Sequence, residues 1–279
     1  MNSRDVFEAN FKSAEMLLRV YRLLESDEGP QTGHAVLKQY RDMIQCTPNE
    51  ELILLLNALF IGIVREGADM RPAHFRKESL DLLLRQAVVA ACSALDVFLP
   101  HLLETYLPEV IRIRQRNFLP LGDKIVGTLF ENFRLKLDSV WPLAEEPSMD
   151  ARWDLISTRV LEYCRADRKT FSNENGVHQV MALLGIEKPW ERIAERAGEK
   201  ESTLRMRLGK AVSRRNDIIH RADRLASSGP DAPISSIEFS WTKNHIDTVN
   251  NVALACFELV RTRMRDLKAE APEAGEDVA

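Results

Sequence analysis

Apolar residues recur at helical spacing along almost the whole of this chain, and that period is the strongest limit on what it can fold into. Phe7, Phe11, Ala14, Leu17, Leu18, Tyr21 and Leu24 draw one amphipathic stripe. Thr47-Pro48-Asn49-Glu50 has the form of a helix start, with Thr as N-cap, Pro in the first turn and Glu placed for a capping box. The helix it opens is expected to run to about Arg65 and stop at Gly67. A long apolar helix is predicted over about 75–106, with a kink at Pro100. Pro108, Pro120, Pro142 and Pro147 punctuate the middle, around helices near 123–138 and 149–166. Gly185 and Pro189 bracket a turn between two further helices. A helix over about 202–224, a loop over 226–233 and a last helix over about 240–268 complete the order.

Only 234–239 reads as an extended piece, and no set of alternating strands accompanies it. The expected fold class is all-α, a helical bundle with an additional N-terminal segment. The 67–72 loop is the clearest early break, so residues 1–75 are expected to be a helical accessory segment and 76–268 the main helical domain. Residues 269–279, rich in Ala, Glu, Gly and Pro, are expected to be a disordered acidic tail.

Composition narrows the function classes. At 279 residues and 45% hydrophobic, the chain is long enough for one large core or two smaller ones. A formal charge of -4 argues against a surface coated for bulk nucleic-acid binding, although a local basic patch is compatible with it. Cys46, Cys92, Cys164 and Cys256 form no CxxC and sit in apolar, helical settings, which reads as reduced core thiols. His34, His74, His101, His178 and His245 show no metal-ligand spacing and read as structural or surface groups. Thr32-Gly33-His34 and Gly122-Asp123-Lys124 lack the glycine spacing of a phosphate loop. Residues 1–25 are charged throughout, unlike a signal peptide, and the apolar run 52–64 is too short to span a bilayer. The expectation is a cytoplasmic chain with no cofactor and no membrane partner.

The chemistry-bearing stretch is 214–223, Arg-Arg-Asn-Asp-Ile-Ile-His-Arg-Ala-Asp. Arg205, Arg207, Lys210, Arg214, Arg215, Arg221 and Arg224 are opposed there only by Asp217 and Asp223. Arg can hold a phosphate through a planar fork of donors, and His can move a proton near neutral pH. On a helix Asn216 and His220, four apart, share one face. Arg215, five before His220, lies about 140° away round the helix. One phosphate can meet both only if the helix distorts, if the Arg side chain reaches round, or if a second subunit supplies half the site. Asp96, with Val89, Cys92, Leu99 and Leu103 as helical neighbours, lies on the apolar side of its helix, where a carboxylate needs a partner. A cation from the Arg–His helix is one candidate; a backbone group is the other.

Arg215-Asn216-x-x-x-His220 resembles the motif of HEPN domains. Ser93 to Leu99 resembles the early HEPN helix with its acidic residue. Phe171-Ser172-Asn173, Leu183-Leu184-Gly185-Ile186 and Trp190 resemble the middle of the RiboL-PSP-type subgroup, and Asp223 and the helix from Trp241 fit it too. The resemblance covers roughly 76–268. It implies a dimerising helical protein acting as a metal-independent endoribonuclease, in which the 2′-hydroxyl of RNA attacks the neighbouring phosphate. Carried over by position, His220 is the acid/base, Arg215 the phosphate clamp, Asn216 the group that orients the His or meets the phosphate, and Asp96 the group that fixes Arg or His. Arg214, Arg221 and Lys210 are the candidate substrate-binding cations. The implied partners are RNA, a second copy completing a composite site, and an antitoxin or regulatory protein. The competing readings are a catalytically silent HEPN module that binds nucleic acid or nucleotide, and a helical adaptor.

Overall fold

A computed structural model describes residues 2–25, 29–32, 36–37, 40–41, 52–57, 60–65, 71–115, 171–224 and 233–270. Six α-helices dominate them: α1 (Ser3–Leu24), α2 (Lys77–Gln115), α3 (Glu174–Leu183), α4 (Pro189–Ala197), α5 (Glu201–Arg221) and α6 (Phe239–Glu270). The fold class is all-α, as the helical period requires. The proposed helix start at Thr47, the helices near 123–138 and 149–166, Cys46, Cys164 and His34 lie outside the described residues, as does most of the acidic tail.

The helix expected to reach Arg65 is instead a pair of strands. β2 (Leu52–Asn57) and β3 (Phe60–Arg65) pair antiparallel from Leu52↔Arg65 to Asn57↔Phe60, and β1 (Gln31–Thr32) adds to β2 on its other edge. The reason lies in the burial of β2 on both faces. Leu52 and Leu54 cluster with Leu37, Leu56 and Ile63, while Ile53 and Leu55 cluster with Phe75, Leu24 and Val64. A strand covered on both sides has no polar positions to alternate with, so its continuous apolar run carries no period of two.

α2 replaces the expected helix over 75–106 and runs unbroken through Pro100 and Pro108. It follows a short 3-10 turn, Pro72–Phe75. The part Lys77–Val110 is long and apolar enough, by length and composition, to cross a membrane, but 56% of its most apolar stretch is buried inside the protein. Leu84, Val88, Leu95, Phe98, Leu99, Leu102 and Leu103 are all covered, which is the pattern of a core helix apolar all round. Cys92 and Cys256 are buried and form no disulfide, in keeping with the reduced core residues expected; burial pushes the Cys256 thiol up.

The chain divides into two compact units. The first comprises Met1–Asn10, Cys92–Ser213 and Asp247–Ala279; the second comprises Phe11–Ala91 and Arg214–Ile246. In the first, Phe7 meets Phe98 edge-on at 5.4 Å, and Ser3 Oγ lies 3.0 Å from His101 Nδ1. The segment before α3 is also fixed here. Asn173 caps α3 by accepting from the Gly176 amide at 2.8 Å, and a Cβ added to Gly176 would fall 2.5 Å from the Phe171 carbonyl oxygen. Gly176→Ala is therefore expected to lower stability by about 1–3 kcal/mol in thermal or denaturant unfolding. An unchanged midpoint would mean that the Phe171 backbone moves aside freely.

In the second unit, Tyr21 stacks on Phe239 at 5.7 Å and donates to Glu25 at 3.1 Å. Burial, and then the Glu25 charge, hold the Tyr21 phenol above the usual tyrosine value. A raised folded-state pKa gives stability that is whole below the unfolded value of about 10 and is lost as pH rises past it. Tyr21→Phe should flatten the fall in unfolding midpoint between pH 9.5 and 11. Equal slopes for the two proteins would contradict it.

Candidate functional site

α5 carries the Arg–His stretch, and its two halves are built differently. Leu204, Leu208, Ala211 and Val212 are buried at helical spacing and seat the first half. Arg205 ties that half down through Glu174 at 2.9 Å and Glu201 at 3.0 Å, and Arg207 pairs with Glu199 at 2.8 Å. Much of the apparent basic run is thus neutralised locally. After Val212 the apolar stripe ends, and the last turns present Asn216, Ile219 and His220 toward solvent, with Arg215 half-buried.

What fixes that polar end is a buried charge cluster. The Asp223 carboxylate is 1% exposed, receives Arg85 Nε from α2 on Oδ2 at 2.7 Å and Arg214 Nη2 on the same oxygen at 2.8 Å. Arg214 Nε lies a further 2.7 Å from Oδ1, close enough for an ion pair though off the hydrogen-bond axis. Both guanidiniums also donate to the Ser235 carbonyl, at 2.7 and 3.1 Å, and Arg214 reaches the Ser236 carbonyl at 2.9 Å. Arg214 lies 5.8 Å from the Trp241 ring centre, and Trp241 stacks on His245 at 3.9 Å. The chain reverses by placing Ala222 and Asp223 at φ 49° and 61°, a left-handed pair without glycine, and the Asp223 amide closes the turn on the Asp217 carbonyl at 2.9 Å. This ends α5 at Arg221, three residues before the expected limit.

The expected site residues fall into four groups. Arg215, Asn216 and His220 lie together on the last turns of α5. The helix is regular through Arg221, so the distortion option is absent between Arg215 and His220. Arg215 Nη1 donates to Asn216 Oδ1 of the next residue at 3.0 Å, and Asn216 is four before His220 on one helix face. Arg221 and Lys210 are exposed, the former 3.5 Å from Asp217. Arg214, expected to meet substrate, instead has its fork on Asp223, Ser235 and Ser236.

Asp96 belongs to the first unit, and Arg215, Asn216 and His220 to the second. Asp96 is half-buried and accepts the Ser172 amide at 2.9 Å. That is the backbone partner offered by one of the two sequence readings, and it joins two segments that carried the family resemblance. Arg85 was missed by sequence reasoning. The signal was there: it is the only charged residue between Asp81 and Asp96 in an otherwise apolar helix. Among the described residues, no group of three or more His, Cys, Asp and Glu side chains is placed to hold a metal ion. Compared with known protein families, with curated proteins and with solved structures, the chain matches none of them.

Proposed function

We propose that this protein is a HEPN-type, metal-independent endoribonuclease that cleaves RNA by 2′-hydroxyl transesterification. The observation that carries the reading is that Arg215, Asn216 and His220 lie together on the last turns of α5, with Arg215 Nη1 bonded to Asn216 Oδ1. In the proposed reaction the 2′-oxygen attacks phosphorus, the 5′-oxygen leaves, and the products are a 2′,3′-cyclic phosphate and a 5′-hydroxyl. His220 takes the 2′-hydroxyl proton or supplies one to the leaving oxygen, and Arg215 faces the charge that builds on the phosphate. Asn216 orients that pair, with Arg221 as a flanking cation. The step needs both a base and an acid, while each motif contains one imidazole. A homodimer placing two copies of α5 about a two-fold axis supplies both. Asp96 is not required in this scheme.

The same reading makes the protein a cytoplasmic effector of a defence or stress response. An enzyme that cuts its host's RNA needs restraint, by an antitoxin-like partner or by residues 1–75. The deciding experiment is single-stranded RNA cleavage by the purified protein in EDTA, with end-group analysis. Cyclic phosphate products are expected, and a 2′-deoxy substitution at the cut site should abolish them. Absence of cleavage, with RNA binding that weakens in Arg215→Ala, would establish the silent binding module instead.

A further inference from the structure

A second feature of the first unit stands apart from the Arg–His stretch. Between the C-terminal parts of α2 and α6 and the last turn of α4 lies an open cleft of about 560 Å³, within the size range of small-molecule sites. Its charges are uneven. Arg261, Arg265 and Lys268 follow one another at helical spacing along α6, and Arg196 projects from the end of α4. Two carboxylates share the cleft, and each has a cation of its own: Glu109 receives Lys268 at 2.9 Å, and Glu258 lies 3.9 Å from Arg261. The remaining cations are held loosely. Arg265 has only a 3.8 Å contact with exposed Asp266, and Arg196 makes no ion pair among the described residues. Among the described lining residues, four cations against two carboxylates leave an excess of two positive charges, with the Arg196 and Arg265 guanidiniums exposed.

The rest of the lining is suited to an organic group. Tyr106 is half-buried, Met264 is buried, and both border the cleft beside the Thr262 hydroxyl. An aromatic ring and a thioether offer a polarisable surface for a flat ligand body. We propose that this cleft binds a small phosphate monoester with an aromatic or heterocyclic body. Its phosphate is gripped between Arg196 and Arg265 and its ring rests on Tyr106 and Met264. A monoester carries about -1.5 to -2 charges at pH 7, which matches the excess of the cleft. Planar guanidinium forks suit its oxygens better than ammonium groups.

The proposal does not depend on whether the protein cuts RNA. Calorimetric titration of the full chain with adenosine 5′-monophosphate tests it, beside adenosine and inorganic phosphate as the two halves of that probe. The intact ester should bind at least about tenfold more tightly than either half, because charge and ring contacts are then used together. The double variant Arg196→Ala/Arg265→Ala, altered only at exposed positions, should weaken binding about tenfold or more with an unchanged unfolding midpoint. Tyr106→Leu should reduce the advantage over inorganic phosphate. The proposal is overturned by no heat with millimolar nucleotide, or by equal affinity in the double variant. It is also overturned if a 5′-phosphorylated oligonucleotide binds more than tenfold better than the mononucleotide and loses that advantage in the double variant, which would mark the cleft as a nucleic-acid path rather than a small-ligand site.

Discussion

Asp223→Ala is expected to lower the unfolding free energy by about 3–5 kcal/mol, the cost of removing one partner from a buried ion pair. The residue is 1% exposed, and its removal leaves Arg85, 8% exposed, and Arg214, 20% exposed, without the anion between them. Like charges then share a space from which water is largely excluded, with the Ser235 and Ser236 carbonyls as their remaining acceptors among the described residues. For a chain of this size the thermal midpoint should fall by on the order of 10 °C. Asp223→Asn keeps the shape and one acceptor but not the charge, so its loss should be smaller. The internal control is Asp217→Ala, which removes an exposed pair with Arg221 and should change stability by less than about 1 kcal/mol. Comparable shifts for Asp223→Ala and Asp217→Ala would remove the cluster from the account of how α5 ends.

His220→Ala should have the opposite profile. The imidazole is exposed, so the unfolding midpoint should stay within the small range of surface substitutions. RNA cleavage in EDTA should fall by roughly 10²–10⁴-fold, the usual contribution of a positioned acid or base, or about 3–5 kcal/mol of barrier. Arg215→Lys adds a second discrimination, since it keeps the charge and discards the fork that reaches Asn216. It should cleave far below the parent while remaining folded. Loss of activity only in step with loss of stability, across both variants, would make these residues structural.

The helices were legible in the sequence because their apolar positions follow one period, and α1, α3, α4, α5 and α6 all lie close to where that period puts them. β2 was not legible for a physical reason: a strand buried on both faces is apolar at every position, so Leu52 to Leu56 look the same as one side of a buried helix. The polar end of α5 was legible as a composition, and Asn216 and His220 as a shared face. The partner of the buried acid was not. The argument that a buried carboxylate must find a partner holds for Asp223, with Arg85 and Arg214, and Asp96 accepts the Ser172 backbone amide. Burial of a charge can be inferred from one segment; its partner, 138 residues away, is decided by the fold.

That separation has a consequence in time. Arg85 leaves the ribosome long before Asp223, and the Ser235 carbonyl that both guanidiniums share follows later still. At about 5–20 residues per second, the nascent chain spends on the order of ten seconds with Arg85 exposed and nothing to receive it. The end of α5 can take its final form only after Ser235 has been made. On the proposed reading, a site on that helix end stays unassembled until then, while the RNA closest to the nascent chain is its own message and ribosome.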